Sequence, residues 1–211
     1  MGYSIISDVA GQFQSLMALV KKMPDDEVIS IGDMIDRGPD SDRVLVWFMK
    51  HGKAILGNHE HMMIDHQNSG LYYEDGVWFA NGGLRTLESY GFMIPPEVVT
   101  WLEHLPMYMI IDGCLVSHAF LNKSYKLIDQ ALNLGTDAVS TFAEMSILWN
   151  RGEPIRRPEH KLQITGHNSQ MGLKWFEDRR GPYAVCLDDS KKKRLTGIHI
   201  PSYTIYQQEY L

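Results

Sequence analysis

Five short polar signatures, each directly after a run that reads as a β-strand, constrain this chain more than anything else in it. They are Asp8-Val9-Ala10-Gly11, Gly32-Asp33-Met34-Ile35-Asp36-Arg37-Gly38, Gly57-Asn58-His59-Glu60, Ser117-His118 and Gly166-His167. In an open α/β sheet, the loops after the carboxyl ends of the strands face one crevice. Three consecutive βα units therefore bring Asp8, Asp33 and Asn58 to one place, and His118 and His167 at later strand ends can join them. Carboxylate, amide oxygen and imidazole without thiolate form a donor set for hard divalent cations. The chain has nine histidines, so one histidine after a strand carries little weight. Five signatures in order carry far more.

Hydrophobic periodicity supplies the frame. Strands are expected over 3–7, 28–31 and 53–56. Helices are expected over 11–22, with apolar residues at Phe13, Leu16, Met17, Leu19 and Val20, then over 41–50 with Ser41 as N-cap, and from Glu60 to His66. This alternation implies parallel strands joined by crossovers. The middle reads as helical over 76–79, 84–90 and 96–104, the last opening on Pro95-Pro96. Strands return over 107–111 and 114–117 around an Asp112-Gly113 turn. A helix is expected over 137–149, then strands over 162–165, 174–176, 184–187, 195–200 and 203–207. The fold class is α/β, with two mixed β-sheets layered and flanked by helices, in one domain over 1–211.

Bulk properties narrow the function. A net charge of −6 argues against broad binding of a nucleic-acid backbone. No apolar run reaches the roughly 18–20 residues that span a bilayer. The start of the chain reads as a strand rather than a signal peptide. Cys114 and Cys186 lie in apolar runs and read as buried free thiols, which points to a cytoplasmic protein. The basic run Lys191-Lys192-Lys193-Arg194 reads as a solvated hairpin turn. His51, His66, His104, His160 and His199 read as structural or exposed, and the five tryptophans as core. His61 faces either the cleft or solvent.

The segments Gly32–Gly38, Gly57-Asn58-His59-Glu60-His61-Met62-Met63-Ile64-Asp65, Asn81-Gly82-Gly83, Trp149-Asn150-Arg151-Gly152 and Gly166-His167 resemble the phosphoprotein phosphatase family of calcineurin-like metallophosphoesterases. The likeness is greatest to its small bacterial and bacteriophage lambda-type serine/threonine phosphatases. It runs over nearly the whole chain, and the pairing of GDxxDRG with GNHE is highly specific. The resemblance implies two divalent metal ions as cofactor: manganese first, with iron, zinc, nickel or cobalt as alternatives. Asp33 would bridge them, Asp8 would hold the first, and Asn58, His118 and His167 would hold the second. His59 would protonate the leaving alkoxide, oriented by Asp36. Arg37 and Arg151, with Asn58, would bind the phosphoryl group. Paired cations generate hydroxide from water, arginine forks match phosphate, and a carboxylate fixes the imidazole tautomer. The implied substrates are phosphoserine and phosphothreonine esters of proteins or small phosphoesters, extending to phosphotyrosine. Dinucleoside tetraphosphates or RNA ends and cyclic phosphodiesters are the alternatives; Asp36 and Glu60 match the protein phosphatase version better.

One position departs from the family's Asp-x-His-Gly signature, because Ala10 stands where the histidine belongs. Alanine cannot coordinate, and loss of even an outer partner costs about 10–100-fold in metal affinity. The first site is therefore expected to be weakened and the second to fill. Ala10 is either an engineered, disabling substitution or the mark of a natural relative that binds phosphate without turnover. Retention of His59, Asp36 and both arginines favours the former. Asn168-Ser169 in place of Thr-Pro, and Asp189-Ser190 in place of a small residue and glycine, bear on substrate choice.

Overall fold

The computed structural model describes residues 2–69, 76–121 and 147–211. The helix expected over 137–149 lies mostly outside them. In chain order the elements are β1 (Tyr3–Ile6), α1 (Phe13–Val20), β2 (Glu27–Ser30), α2 (Ser41–His51), β3 (Lys53–Ala54), α3 (Asn58–Asn68), α4 (Gly76–Ala80), α5 (Gly83–Ser89) and α6 (Pro96–Glu103). There follow β4 (Tyr108–Ile111), β5 (Cys114–Ser117), β6 (Gln163–Thr165), β7 (Lys174–Asp178), β8 (Gly181–Cys186), β9 (Arg194–Ile200) and β10 (Thr204–Glu209).

They form two mixed five-stranded sheets, ordered β10-β9-β1-β2-β3 and β4-β5-β6-β8-β7. The expected parallel core is present as β1, β2 and β3. β9 returns antiparallel to β1 and makes that sheet mixed. In the second sheet β5, β6 and β8 run parallel, with β4 and β7 antiparallel at its edges.

Strand alternation explains the layers, because successive side chains point to opposite faces. Ile5, Ile29, Ile198 and Ile200 meet Val116, Ile164, Val185 and Leu187 between the sheets. Their neighbours Ile6, Val28 and Leu195 turn outward onto Leu16, Leu19, Val44, Leu45 and Phe48 of α1 and α2. On the far side of the second sheet Leu115 packs on Leu56 and Leu148, and Ala184 and Cys186 on Phe120 and Phe176. Each aliphatic side chain so buried contributes about 1.5–3 kcal/mol.

Several expectations need adjustment. β3 has two residues rather than four: Ile55 N still donates to Ser30 O at 3.0 Å, but Leu56 N donates to Pro106 O at 2.9 Å. The chain leaves the first sheet there and ties to the segment that leads into β4. Ser41 is the first residue of α2, not its cap; Asp40 holds that position without a side-chain cap bond. The Ser41 hydroxyl instead accepts from Asp36 N at 3.0 Å, since a buried loop N–H needs a partner more than a solvated helix end does. α3 begins at Asn58, two residues early, because the Glu60 carboxylate accepts from Gly57 N at 3.0 Å. The basic run forms a 3₁₀ turn over Ser190–Lys192 that leads into β9. Lys192 and Arg194 pair there with Asp189 at 3.0 and 3.3 Å. Asp112 and Gly113 both have positive φ, 48° and 77°, as a type I′ hairpin requires. Both cysteines are free and buried. Among the described residues no helix is long and apolar enough to cross a membrane.

Candidate active site

Loops after β1 and β2, the start of α3, and the ends of β5 and β6 converge on one point. Gly32, with φ of 90°, lies so close to Gly57 that a Cβ on it would stand 2.5 Å from the Gly57 Cα. Glu60 locks the two loops together: Oε2 accepts from Asp33 N at 2.8 Å and Oε1 from Met34 N at 2.7 Å. The β1 loop joins through Ala10 N to Asp33 O at 2.8 Å and Gly11 N to Met34 O at 2.9 Å. Among the described residues, nine non-glycines have positive φ, and five of them are here: Ala10, Asp33, Asp36, Arg37 and His167. Backbone strain of this kind persists only where surrounding bonds hold it, and it concentrates at functional sites.

The central knot consists of Asp33, Asn58, His118 and His167, all buried. His118 Nδ1 donates to Ile31 O at 2.8 Å, which turns Nε2 toward the knot. That Nε2 lies 2.8 Å from Asn58 Oδ1 and 3.3 Å from Asp33 Oδ1. His167 Nδ1 lies 2.9 Å from the same Asn58 oxygen. Either a proton on these ring nitrogens or a metal cation must lie between them and the facing oxygens. Ligands about 2.1 Å from an octahedral divalent ion are spaced roughly 3 Å apart, which these separations match. Donor atoms of Asp33, His118 and His167 all lie within 4.8 Å of one another. His167 Nε2 is buried with no hydrogen-bond partner among the described residues. The residues fit a divalent cation.

The electrostatics agree. Burial opposes ionisation of Asp33, but His118, His59 and His167 outweigh it and hold its carboxyl at about 2. Burial, then the neighbouring His118, pulls His167 down to about 3, so the ring is neutral and able to ligate. Burial and then Asp33 push Glu60 up to about 7. Asp8 and Asp188 are likewise raised, burial being the largest cause for each. Burial and mutual repulsion raise these carboxyls, and a cation among them would relieve both.

Asp8 sits beside the knot rather than in it. Its Oδ1 accepts from His167 N at 3.0 Å, and its Oδ2 from the Ser7 hydroxyl. Position 10, buried next to it, offers only a methyl group. Donors therefore cluster around His118 and His167, while Ala10 adds none beside Asp8.

His59 lies at the mouth. Its Nδ1 donates to Asp36 Oδ2 at 2.5 Å, and its Nε2 accepts from Arg37 Nη2 at 2.8 Å. Burial lowers the proton affinity of the ring, but Asp33 and Asp36 together outweigh burial and raise it. Arg37 and Arg151 are exposed. Arg151 Nη1 reaches His167 O at 3.5 Å, and Asn168 Nδ2 braces Arg151 O at 3.0 Å. Every sequence-predicted site residue is therefore in or beside this cleft. His61 turns to Asp65 at 3.3 Å, His199 bonds Asp26 at 3.0 Å, and His66 packs on Trp78 with ring centroids 4.9 Å apart.

Sequence reasoning gave no role in the site to Glu60, Trp78 or Thr86, and read Asn168 only as a change in the loop that bears on substrate choice. Glu60 stood inside a quoted signature, and Trp78 was read as core. It is core, 1% exposed, but its indole N–H points at Asp36. Thr86 carried no local signal.

Comparison with known proteins places the chain in a class. A family model described as calcineurin-like phosphoesterase matches residues 3–203, and the chain belongs to that family. Serine/threonine-protein phosphatase 2 of Escherichia coli is 33% identical over 75% of this chain and 70% of its own length. A symmetrical bis(5'-nucleosyl)-tetraphosphatase of Methylobacillus flagellatus is 32% identical over 63% of this chain. The chain spans only 47% of that relative's length. The fold is shared with a cold-active protein-tyrosine phosphatase of a psychrophilic Shewanella, with a TM-score of 0.66 at 17% identity, covering 99% of this chain and 78% of that one.

Proposed function

We propose that this metallophosphoesterase is a phosphomonoesterase that cleaves phosphoserine and phosphothreonine esters, with turnover lowered by Ala10. The observation that carries the reading is the knot in which His118 Nε2, His167 Nδ1 and oxygens of Asn58 and Asp33 face one another. In this reading Asp33, Asn58, His118 and His167 hold one divalent ion, and Asp8 with Asp33 holds a second more weakly. Such ions, when bound, polarise phosphoryl oxygens and acidify coordinated water. Arg37 and Arg151 bind the phosphoryl oxygens, their planar forks matching the charge that develops there. Arg37 rests on His59 Nε2, so its shift toward a phosphate frees that nitrogen. Protonated there, His59 passes the proton to the leaving alkoxide while Asp36 holds Nδ1.

A dinucleoside polyphosphate substrate is the second reading, favoured by the Methylobacillus relative, whose identity is close to that of the protein phosphatase. The test is Ala10→His, loaded with manganese and assayed on phosphopeptides, p-nitrophenyl phosphate and diadenosine tetraphosphate. Restoring a donor should raise phosphopeptide turnover at least about tenfold. Preferential cleavage of diadenosine tetraphosphate would establish the second reading. Tight phosphopeptide binding without hydrolysis would make the chain a phosphate-binding protein, and inactivity on every ester would end the enzymatic account.

A further inference from the structure

The Asp36 carboxylate does more than face His59. Thr86 Oγ1 donates to its Oδ1 at 2.5 Å, and the Trp78 indole Nε1–H lies 3.2 Å from Oδ1 and 3.0 Å from Oδ2. With His59 Nδ1 on Oδ2 at 2.5 Å, three donors from three helices commit both oxygens as acceptors. Asp36 N–H lies 3.0 Å from both Ser41 Oγ and Thr86 Oγ1. Asp36 and Thr86 are fully buried, and Trp78 nearly so. No water competes for these bonds, so the carboxylate has one rotation available to it.

The same geometry explains Asn81-Gly82-Gly83, a signature that phosphate chemistry alone leaves without a role. Gly83 lies under the indole: a Cβ on it would stand 2.5 Å from the Trp78 ring atoms Cδ2 and Cε2. Gly82 has φ of 106°, and a Cβ on it would stand 2.9 Å from Arg37 Cγ. The two glycines let the α4–α5 corner close onto the loop that carries Asp36 and Arg37.

We infer that Trp78 and Thr86 are positioning residues for proton transfer: by fixing the rotation of Asp36 they set the tautomer and aim of His59. The inference rests on the reading of His59 as the proton donor. Trp78→Phe keeps a ring and removes the N–H. Thr86→Val keeps the shape and removes the hydroxyl, and Thr86→Ser restores it. Assistance from an acid matters for a serine alkoxide and little for p-nitrophenolate, which departs without a proton.

In the Ala10→His protein, the ratio of kcat on a phosphoserine peptide to kcat on p-nitrophenyl phosphate should fall about tenfold in Trp78→Phe and in Thr86→Val. KM should hold, and Thr86→Ser should recover the ratio. Equal losses on both substrates, or an unchanged ratio, would overturn the inference. Thr86→Val, a change of one atom, carries the test where Trp78→Phe fails to fold. A second readout needs no turnover. In ¹⁵N-histidine spectra of the chain as it stands, His59 Nδ1 should appear as a protonated nitrogen hydrogen-bonded to Asp36, and its signal should shift in Thr86→Val. An unchanged His59 signal overturns the positioning role even where no phosphoester is cleaved, whereas inactivity with a shifted signal counts against the phosphatase reading alone.

Discussion

Ala10 and Glu60 show what single residues do here. Ala10 has φ of 49°, a conformation that costs a non-glycine residue about 1–2 kcal/mol. It is held by bonds from its own N–H to Asp33 O and from Gly38 N to its carbonyl, 2.8 and 3.0 Å long. Position 10 is therefore pinned beside Asp8 whatever side chain it carries, which is why a histidine there should supply the missing donor without rebuilding the loop. Glu60 is the reverse case, a residue whose backbone is ordinary and whose carboxylate holds three buried amides: Asp33, Met34 and Gly57. Leaving a buried N–H without an acceptor costs about 1–3 kcal/mol. Glu60→Ala should lower Tm by at least about 5 °C and abolish tight metal binding, since Asp33 loses its tether. A melting curve and a manganese titration on the variant check both; a Tm within a degree of the parent would contradict this account of the loop.

At the scale of elements, each short strand does two things: it buries one apolar face and aims its last residues. β6 places Ile164 between the sheets and runs into Gly166-His167. Ile164→Ala should cost about 2–5 kcal/mol by the cavity it leaves, read by urea unfolding, and should weaken metal binding because His167 follows two residues beyond the strand. A loss under about 1 kcal/mol would show that the sheets pack more loosely than described. This coupling also explains what could be read beforehand. Asp33, Asn58, His118 and His167 were legible because strand periodicity is local and side chains at strand ends share a crevice. Ser41 and Trp78 were not, because helical spacing says which face is buried but not which buried loop atom a hydroxyl or indole N–H will meet. The start of α3 was missed for a different reason: the bond that begins it early, from Gly57 N to the Glu60 carboxylate, is local, but a glycine at the cap position offers no side chain to mark it.

For the whole molecule, the site exists only because two sheets pack face to face. Asp33 and Asn58 come from the first sheet's loops, His118 and His167 from the second's, and the isoleucine layer between the sheets sets their spacing. With a net charge of −6, the proposed phosphate recognition falls to local cations, Arg37 and Arg151, rather than to a basic surface. The central claim is that four side chains from distant parts of the chain hold one divalent ion. Calorimetric titration of manganese into the parent, His118→Ala and His167→Ala tests it most directly. The account predicts one tight ion per parent chain, weakened at least about 100-fold by either substitution. No tight binding in the parent, or binding that both variants retain, would contradict it.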